Sequence, residues 1–208
     1  MSLIAKNKSE TKRELIPAGI KTAVCCGIVD LGEQETTWEG RTKVSNRVLF
    51  LWEIPKETIE TENGPVPRMV SKQFTNSLHE KAALRNMLQA WRGESFPDNP
   101  EFDFDMSQML GQPCMLTVIH KNGKDGTTYA KVDNIMGLPE GLEAPKASRI
   151  ISFDFDDPDA LNTMTLLPEW IQDRIKHSNT YAVLAARDDK PFDKPEFLPA
   201  PSDDDAPF

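Results

Sequence analysis

Apolar and polar positions alternate with period two through much of the chain up to residue 138. Residues 15–31 (LIPAGIKTAVCCGIVDL) are rich in β-branched and apolar side chains and predict a long first strand. Gly19 and Gly27 inside it predict a bulge or tight bend, the device by which a small sheet curls. Residues 32–42 (GEQETTWEGRT) are polar and predict a loop carrying Trp38. Residues 44–54 (VSNRVLFLWEI) predict a second strand, with Val48, Phe50, Trp52 and Ile54 on one face and Leu49 and Leu51 on the other. Pro55 is expected to end it. An acidic Glu- and Thr-rich loop through Gly64-Pro65 then leads to a third strand over residues 67–75, where Arg68, Val70, Lys72 and Phe74 alternate with Met69, Ser71 and Gln73.

The period changes at Ser77. Ser77-Leu78-His79-Glu80 has the form of a capping box, and Leu84, Leu88 and Trp91 follow at helical spacing. A helix is expected to run to Arg92 and stop at Gly93. Asp105 is expected to cap a short helical turn over residues 106–110, closed by Gly111. Residues 113–121 (PCMLTVIHK) predict a fourth strand and residues 127–138 a fifth, joined by the hairpin loop Asn122-Gly123-Lys124-Asp125-Gly126. Beyond a linker over residues 139–148, RIISFDF at 149–155 predicts one more strand. Pro168 then opens a short helix with Leu167, Trp170, Ile171 and Ile175 as its apolar face.

Three strands, a helix and a hairpin follow the order of an OB-fold, the five-stranded Greek-key barrel that often binds single strands or sugars. The expected class is therefore mainly β: an OB-fold-like barrel over residues 15–138, with a helix between strands three and four. A C-terminal extension over residues 139–186, strand plus helix, is expected to pack on it. Another small barrel or sandwich is the alternative; a parallel α/β fold needs helices between most strands, and these are missing. Residues 1–14 read as a flexible, mildly basic arm. Residues 187–208, with five prolines, read as a disordered acidic tail.

Charge changes the picture once it is located. The 208-residue chain carries −9, which argues against a nucleic-acid partner. Residues 188–208 hold seven acids against two bases, a net −5, leaving −4 on the rest. The body can therefore still present a basic face. Cys25, Cys26 and Cys114 lack C-x-x-C spacing, and neighbours on a strand point to opposite faces, so reduced thiols of a cytoplasmic protein are expected. The polar start of the chain lacks the apolar core of a signal peptide, and no apolar run approaches a membrane span.

No phosphate loop, dinucleotide fingerprint, zincin helix or nucleophile elbow occurs. His79, His120 and His177 lie in separate elements, without ligand spacing. The Phe/Asp alternations at 101–105 and 153–157 have the carboxylates for a divalent metal, but fit an edge strand or loop with one apolar face more simply. The expectation is a binding protein that needs no cofactor or metal and is not an enzyme.

Non-specific single-strand binding needs cations to track phosphates and aromatic faces on which bases stack. On the expected barrel the ligand face is formed by strands two and three, framed by the loops after strands one and four. The first loop would supply Trp38, Arg41 and Lys43, the second strand Arg47, and the third strand Arg68, Lys72 and Phe74. The second hairpin would supply Lys121 and Lys124, and the fifth strand Tyr129 and Lys131. Phe74 is open between barrel core and stacking platform. Trp52, Trp91 and Trp170 sit in apolar patterns and are expected in the core.

The chain closes on Asp203-Asp204-Asp205-Ala206-Pro207-Phe208. Three acids before a rigid proline and a terminal aromatic ring suit a socket with an apolar pocket and a basic rim. This stretch closely resembles the acidic C-terminal tip of bacterial and phage single-stranded DNA-binding proteins, with Ala206 in place of a bulkier apolar residue. The resemblance implies strand protection in replication, recombination or repair, and recruitment of partner proteins through Asp203, Asp204, Asp205, Pro207 and Phe208. The unusual body points to a phage or prophage version working in the host cytoplasm. The alternatives are an annealing or recombination-accessory protein, an adaptor that displays the tip without binding DNA, and a metal-dependent nuclease.

Overall fold

The computed structural model describes residues 15–38, 40–62, 64–123 and 126–188, without the side chains of Thr37, Trp38, Arg187 and Asp188. The expected basic arm, Lys124 and the acidic tip lie outside the described residues. The chain is mainly β. Strands β1 (Gly19–Trp38), β2 (Arg41–Thr61) and β3 (Gly64–Thr75) are followed by helix α1 (Ala83–Arg92), a 3-10 turn (Met106–Met109), and strands β4 (Pro113–Asn122) and β5 (Thr128–Gly137). Strand β6 (Ile151–Phe153) and helices α2 (Ala160–Thr165), α3 (Glu169–Lys176) and α4 (Asn179–Asp188) complete it. The sheet order is β3-β2-β1-β4-β5, all antiparallel, with β6 added parallel to β1.

Strand β1 organises the sheet. Its first half pairs with β4 (Ala23↔Cys114) and its second half with β2 (Ile28↔Phe50). The register slips between Cys25 and Gly27 and again between Asp30 and Gly32, so β1 bends as it changes partner. Gly27 is the close-approach point: a Cβ there would stand 2.6 Å from Leu51 Cδ1 and 3.2 Å from the Ile151 carbonyl oxygen. At the second slip Gly32 takes φ 66°, and its N–H donates to Asp30 Oδ1 at 2.8 Å.

Two sequence expectations change here. The polar stretch 32–42 is not a loop: β1 runs on to Trp38 and β2 begins at Arg41, with Thr36↔Lys43, Thr37↔Thr42 and Trp38↔Arg41 paired in a long ribbon. Threonine and valine suit a strand whether or not a core lies beneath, so the ribbon has no apolar alternation to announce it. Nor does Pro55 end β2, which continues to Thr61 across a register shift between Ile54 and Thr58. A bulge is one of the few sheet positions that tolerate proline.

The capping box is also overturned. α1 starts at Ala83 after Ala82, which makes no side-chain cap, and Ser77 Oγ instead accepts from the His79 N–H in a preceding turn. Gly93 closes the helix at φ 72° and donates to the Gln89 carbonyl. Asp105 accepts from the Ser107 N–H as a cap should.

Two apolar clusters lie on opposite faces of the sheet. The first joins Phe50, Trp52, Phe74, Leu116 and Ile135 to Leu84, Leu88 and Trp91 of α1. Phe50 stacks on Trp52 and meets Phe74 edge-on, while Trp91 Nε1 donates to the Pro113 carbonyl. The second joins Val29, Leu31, Leu49 and Leu51 to Phe153, Met164, Leu167, Ile171 and Ile175. Burying one such side chain contributes roughly 1.5–3 kcal/mol. The C-terminal extension is therefore bound to the sheet by its own core. α2 and α4 have no clear apolar periodicity and were not expected.

Trp170 does not join that core. It is 44% exposed, because Ile171 and Ile175 take the inward side of α3 and turn their predecessors outward.

Candidate nucleic-acid interface

The predicted site residues within the described structure separate into four places. Arg41 and Lys43 are exposed near the tip of the β1–β2 ribbon, where Trp38 is backbone-paired with Arg41. Arg47, half-buried, lies on the β2 face that carries Leu49 and Leu51 and pairs with Thr75 of β3. Lys121, Tyr129 and Lys131 lie together on β4 and β5, with Lys121↔Tyr129 and Ile119↔Lys131 in register. Lys121 and Tyr129 are exposed and Lys131 half-buried.

Arg68, Lys72 and Phe74 share one face of β3, as the alternation requires, but that face is the inner one. Val70 and Phe74 are buried in the first cluster. Phe74 is 3% exposed, so its ring is core and is not available as a stacking platform. Arg68 Nε donates to the Thr58 carbonyl at 3.3 Å across the β2 bulge. Lys72 escapes at the rim: its ammonium lies 5.4 Å from the Phe74 ring centroid and donates to the Asp133 carbonyl at 2.8 Å. That bond carries β3 across to β5, the two ends of the strand order.

Electrostatics mark this seam. Burial lowers the Lys72 pKa below its ordinary value and the nearby Lys131 charge lowers it further, while Asp133 opposes the shift. Two cations are held near one another with only partial compensation, an arrangement that favours an arriving anion.

The outward face of β2 and β3 is only partly open. Leu49, Leu51 and Met69 lie beneath the C-terminal extension. At its border Arg174 of α3 donates to Gln73 Oε1 at 2.7 Å, so α3 reaches β3 itself. No family model matches the chain, and no curated protein is similar to it in sequence.

The remaining chemistry-bearing groups have structural work. Phe102 and Phe104 pack on Phe96, whereas Asp154 and Asp157 accept backbone N–H groups within their own turns. Among the described residues, no group of three or more His, Cys, Asp or Glu is arranged to hold a metal ion. His79 Nδ1 accepts from the Lys81 N–H, and His120 Nε2 bonds the Ile16 carbonyl. A cleft of about 770 Å³ between residues 76–85 and 98–106 is lined by Glu80, Asp98 and Asp103 against Arg85 and His79, a balance that disfavours phosphates. Among the described residues, no helix is long and apolar enough to cross a membrane.

Proposed function

We propose that this protein binds and protects single-stranded DNA without strong sequence readout, and recruits replication or recombination proteins through residues 203–208. The observation that carries the DNA reading is the meeting of Lys72 and Lys131 at the β3–β5 seam, beside exposed Lys121 and Tyr129. Cations for phosphates and an aromatic face for a base are the two components such binding needs.

The strand order adds support. A bent first strand shared between β2 and β4, a helix between β3 and β4, and β3 reaching β5 through Lys72 are features of an OB-like barrel. On this reading the C-terminal extension covers the middle of the outer β2–β3 face and displaces the DNA path toward the seam and the ribbon. The likeness of the last six residues to the tip of bacterial and phage single-stranded DNA-binding proteins supports the recruiting role and a bacterial cytoplasmic setting.

The test is a gel-shift series with oligo-dT and a duplex of equal length at two salt concentrations. Single-strand preference that weakens with salt is expected. Trp38→Ala should weaken oligo-dT binding by about 1–3 kcal/mol if that ring stacks on a base. Equal affinity for single strand and duplex would overturn the reading, and retention of the C-terminal partners without any DNA binding would leave an adaptor.

A further inference from the structure

We infer that helix α3 carries a second base-stacking position, Trp170 backed by Arg174, at the border of the outer β2–β3 face; this rests on the single-strand reading above. The helix cannot rotate freely. Ile171 and Ile175 are both fully buried against the sheet, which at 100° per residue turns Trp170 and Arg174 onto one lateral flank. Glu169 and Asp173 fall about 200° from those isoleucines, on the side away from the sheet. The flank nearest β3 therefore presents an aromatic ring and a guanidinium without an intervening acid from its own helix.

That flank is held in place. The Arg174 guanidinium carbon lies 5.9 Å from the Trp170 ring centroid, and Nη1 donates to Gln73 Oε1 of β3 at 2.7 Å. The Arg174 carbonyl accepts from Gln34 Nε2 of β1 at 2.9 Å. An arginine tied at both ends orients the ring beside it, so the indole loses little freedom when a base arrives. Yet 44% of the Trp170 surface stays exposed.

A cation stands next along the same face. Arg47 pairs with Thr75 in the ladder beside the Leu49↔Gln73 pair; its side chain is half-buried, and its Nε is enclosed with no hydrogen-bond partner among the described residues. Arg47 and the Gln73 that Arg174 holds lie on the same outer face of neighbouring strands, so the Trp170–Arg174 flank and a second cation share that face. Aromatic and cation in succession are the chemistry of a base followed by its phosphate.

Tryptophan emission and affinity for oligo-dT, measured on the full chain and its variants, test the assignment. Trp170→Ala should weaken binding roughly 5- to 150-fold, the range corresponding to one stacked base at about 1–3 kcal/mol. Trp170→Phe should stay near the wild-type affinity, and the quench it loses at saturation is the share belonging to Trp170. Wild-type binding with no such share, or full affinity in Trp170→Ala, overturns the α3 assignment and leaves the DNA reading standing. If Trp170→Ala proves unstable, the Trp170→Phe difference spectrum still decides. Absence of oligo-dT binding by the wild type removes the parent reading and this one with it.

Discussion

Glu53 of β2 is 2% exposed, and its carboxylate is held by Ser148, whose hydroxyl donates to Oε2 at 2.7 Å and whose N–H reaches both oxygens at 3.1 and 3.2 Å. This pair links the linker after β5 to the middle of the sheet, just before β6 begins. A buried carboxylate that loses a donor retains its desolvation penalty. Ser148→Ala should therefore destabilise the protein by about 1–3 kcal/mol in urea denaturation. Glu53→Ala removes the carboxylate but opens a cavity, and should add earlier protease cleavage in residues 139–188 as the extension loosens. Unchanged stability and cleavage in both variants would show that the extension docks without this link.

The thiols set the second expectation. Burial raises Cys25 from its ordinary 9.0 to about 12 and Cys26 to about 11; Cys114 is also raised, chiefly by burial. A group whose folded pKa lies above its unfolded value stabilises the fold fully below the unfolded value. The unfolded chain then loses its protons first as pH rises. Stability should fall from about pH 9 upward, through about 11 for Cys26 and 12 for Cys25, by roughly 1.4 kcal/mol per pH unit for each thiol in its window. Urea midpoints at pH 8 and 10.5 should separate clearly, and Cys26→Ala should narrow the gap. Below pH 9 a thiol reagent should label the folded protein only as fast as it opens.

Much of this sheet was legible because apolar residues either alternate with polar ones, as in β4, or run together where a strand is covered on both faces, as in β2. Val48, Phe50, Trp52 and Ile54 against Leu49 and Leu51 predicted two faces, and both proved to be apolar cores. The same evenness hid which face was inner, so Arg68, Lys72 and Phe74, expected on the ligand face, fall on the inner one. Trp170 was misread because its neighbours Leu167, Ile171 and Ile175 are core, and only a helix rotation fixed by packing separates one position from the next. The ribbon beyond Gly32 was illegible for another reason: its pairing has no apolar face, and polar strands look like loops.

The seam gives a third prediction. If Lys121 and Lys131 contact phosphates, each alanine variant should lower the slope of log affinity against log salt by about 0.7. Lys81, 3.9 Å from Glu80 in the turn before α1, lies beside an acid-rich cleft, and its alanine variant should leave the slope unchanged. Lys72→Ala should act on stability as well, because it also removes the bond from β3 to the Asp133 carbonyl. A slope unaffected in Lys121→Ala and Lys131→Ala would move the DNA path off β4 and β5.

The C-terminal segment separates two kinds of interaction by charge and by shape. Residues 188–208 carry seven acids and can compete with DNA for the cations of the body, an effect that salt screens. Removing all of them should tighten oligo-dT binding, more at low salt than at high. Deleting Phe208 alone leaves every acidic side chain in place. DNA affinity should then stay near the full-length value, because the competing charge is still present. Partner binding should collapse, because an apolar pocket loses its ring. Pull-downs of bacterial replication and repair proteins with the full chain and the Phe208 deletion, beside the oligo-dT titrations, read both effects. Equal retention of every partner by the two chains would reduce the tip to a solubilising tail, while an equal loss of DNA and partners would mean that Phe208 supports the folded body instead.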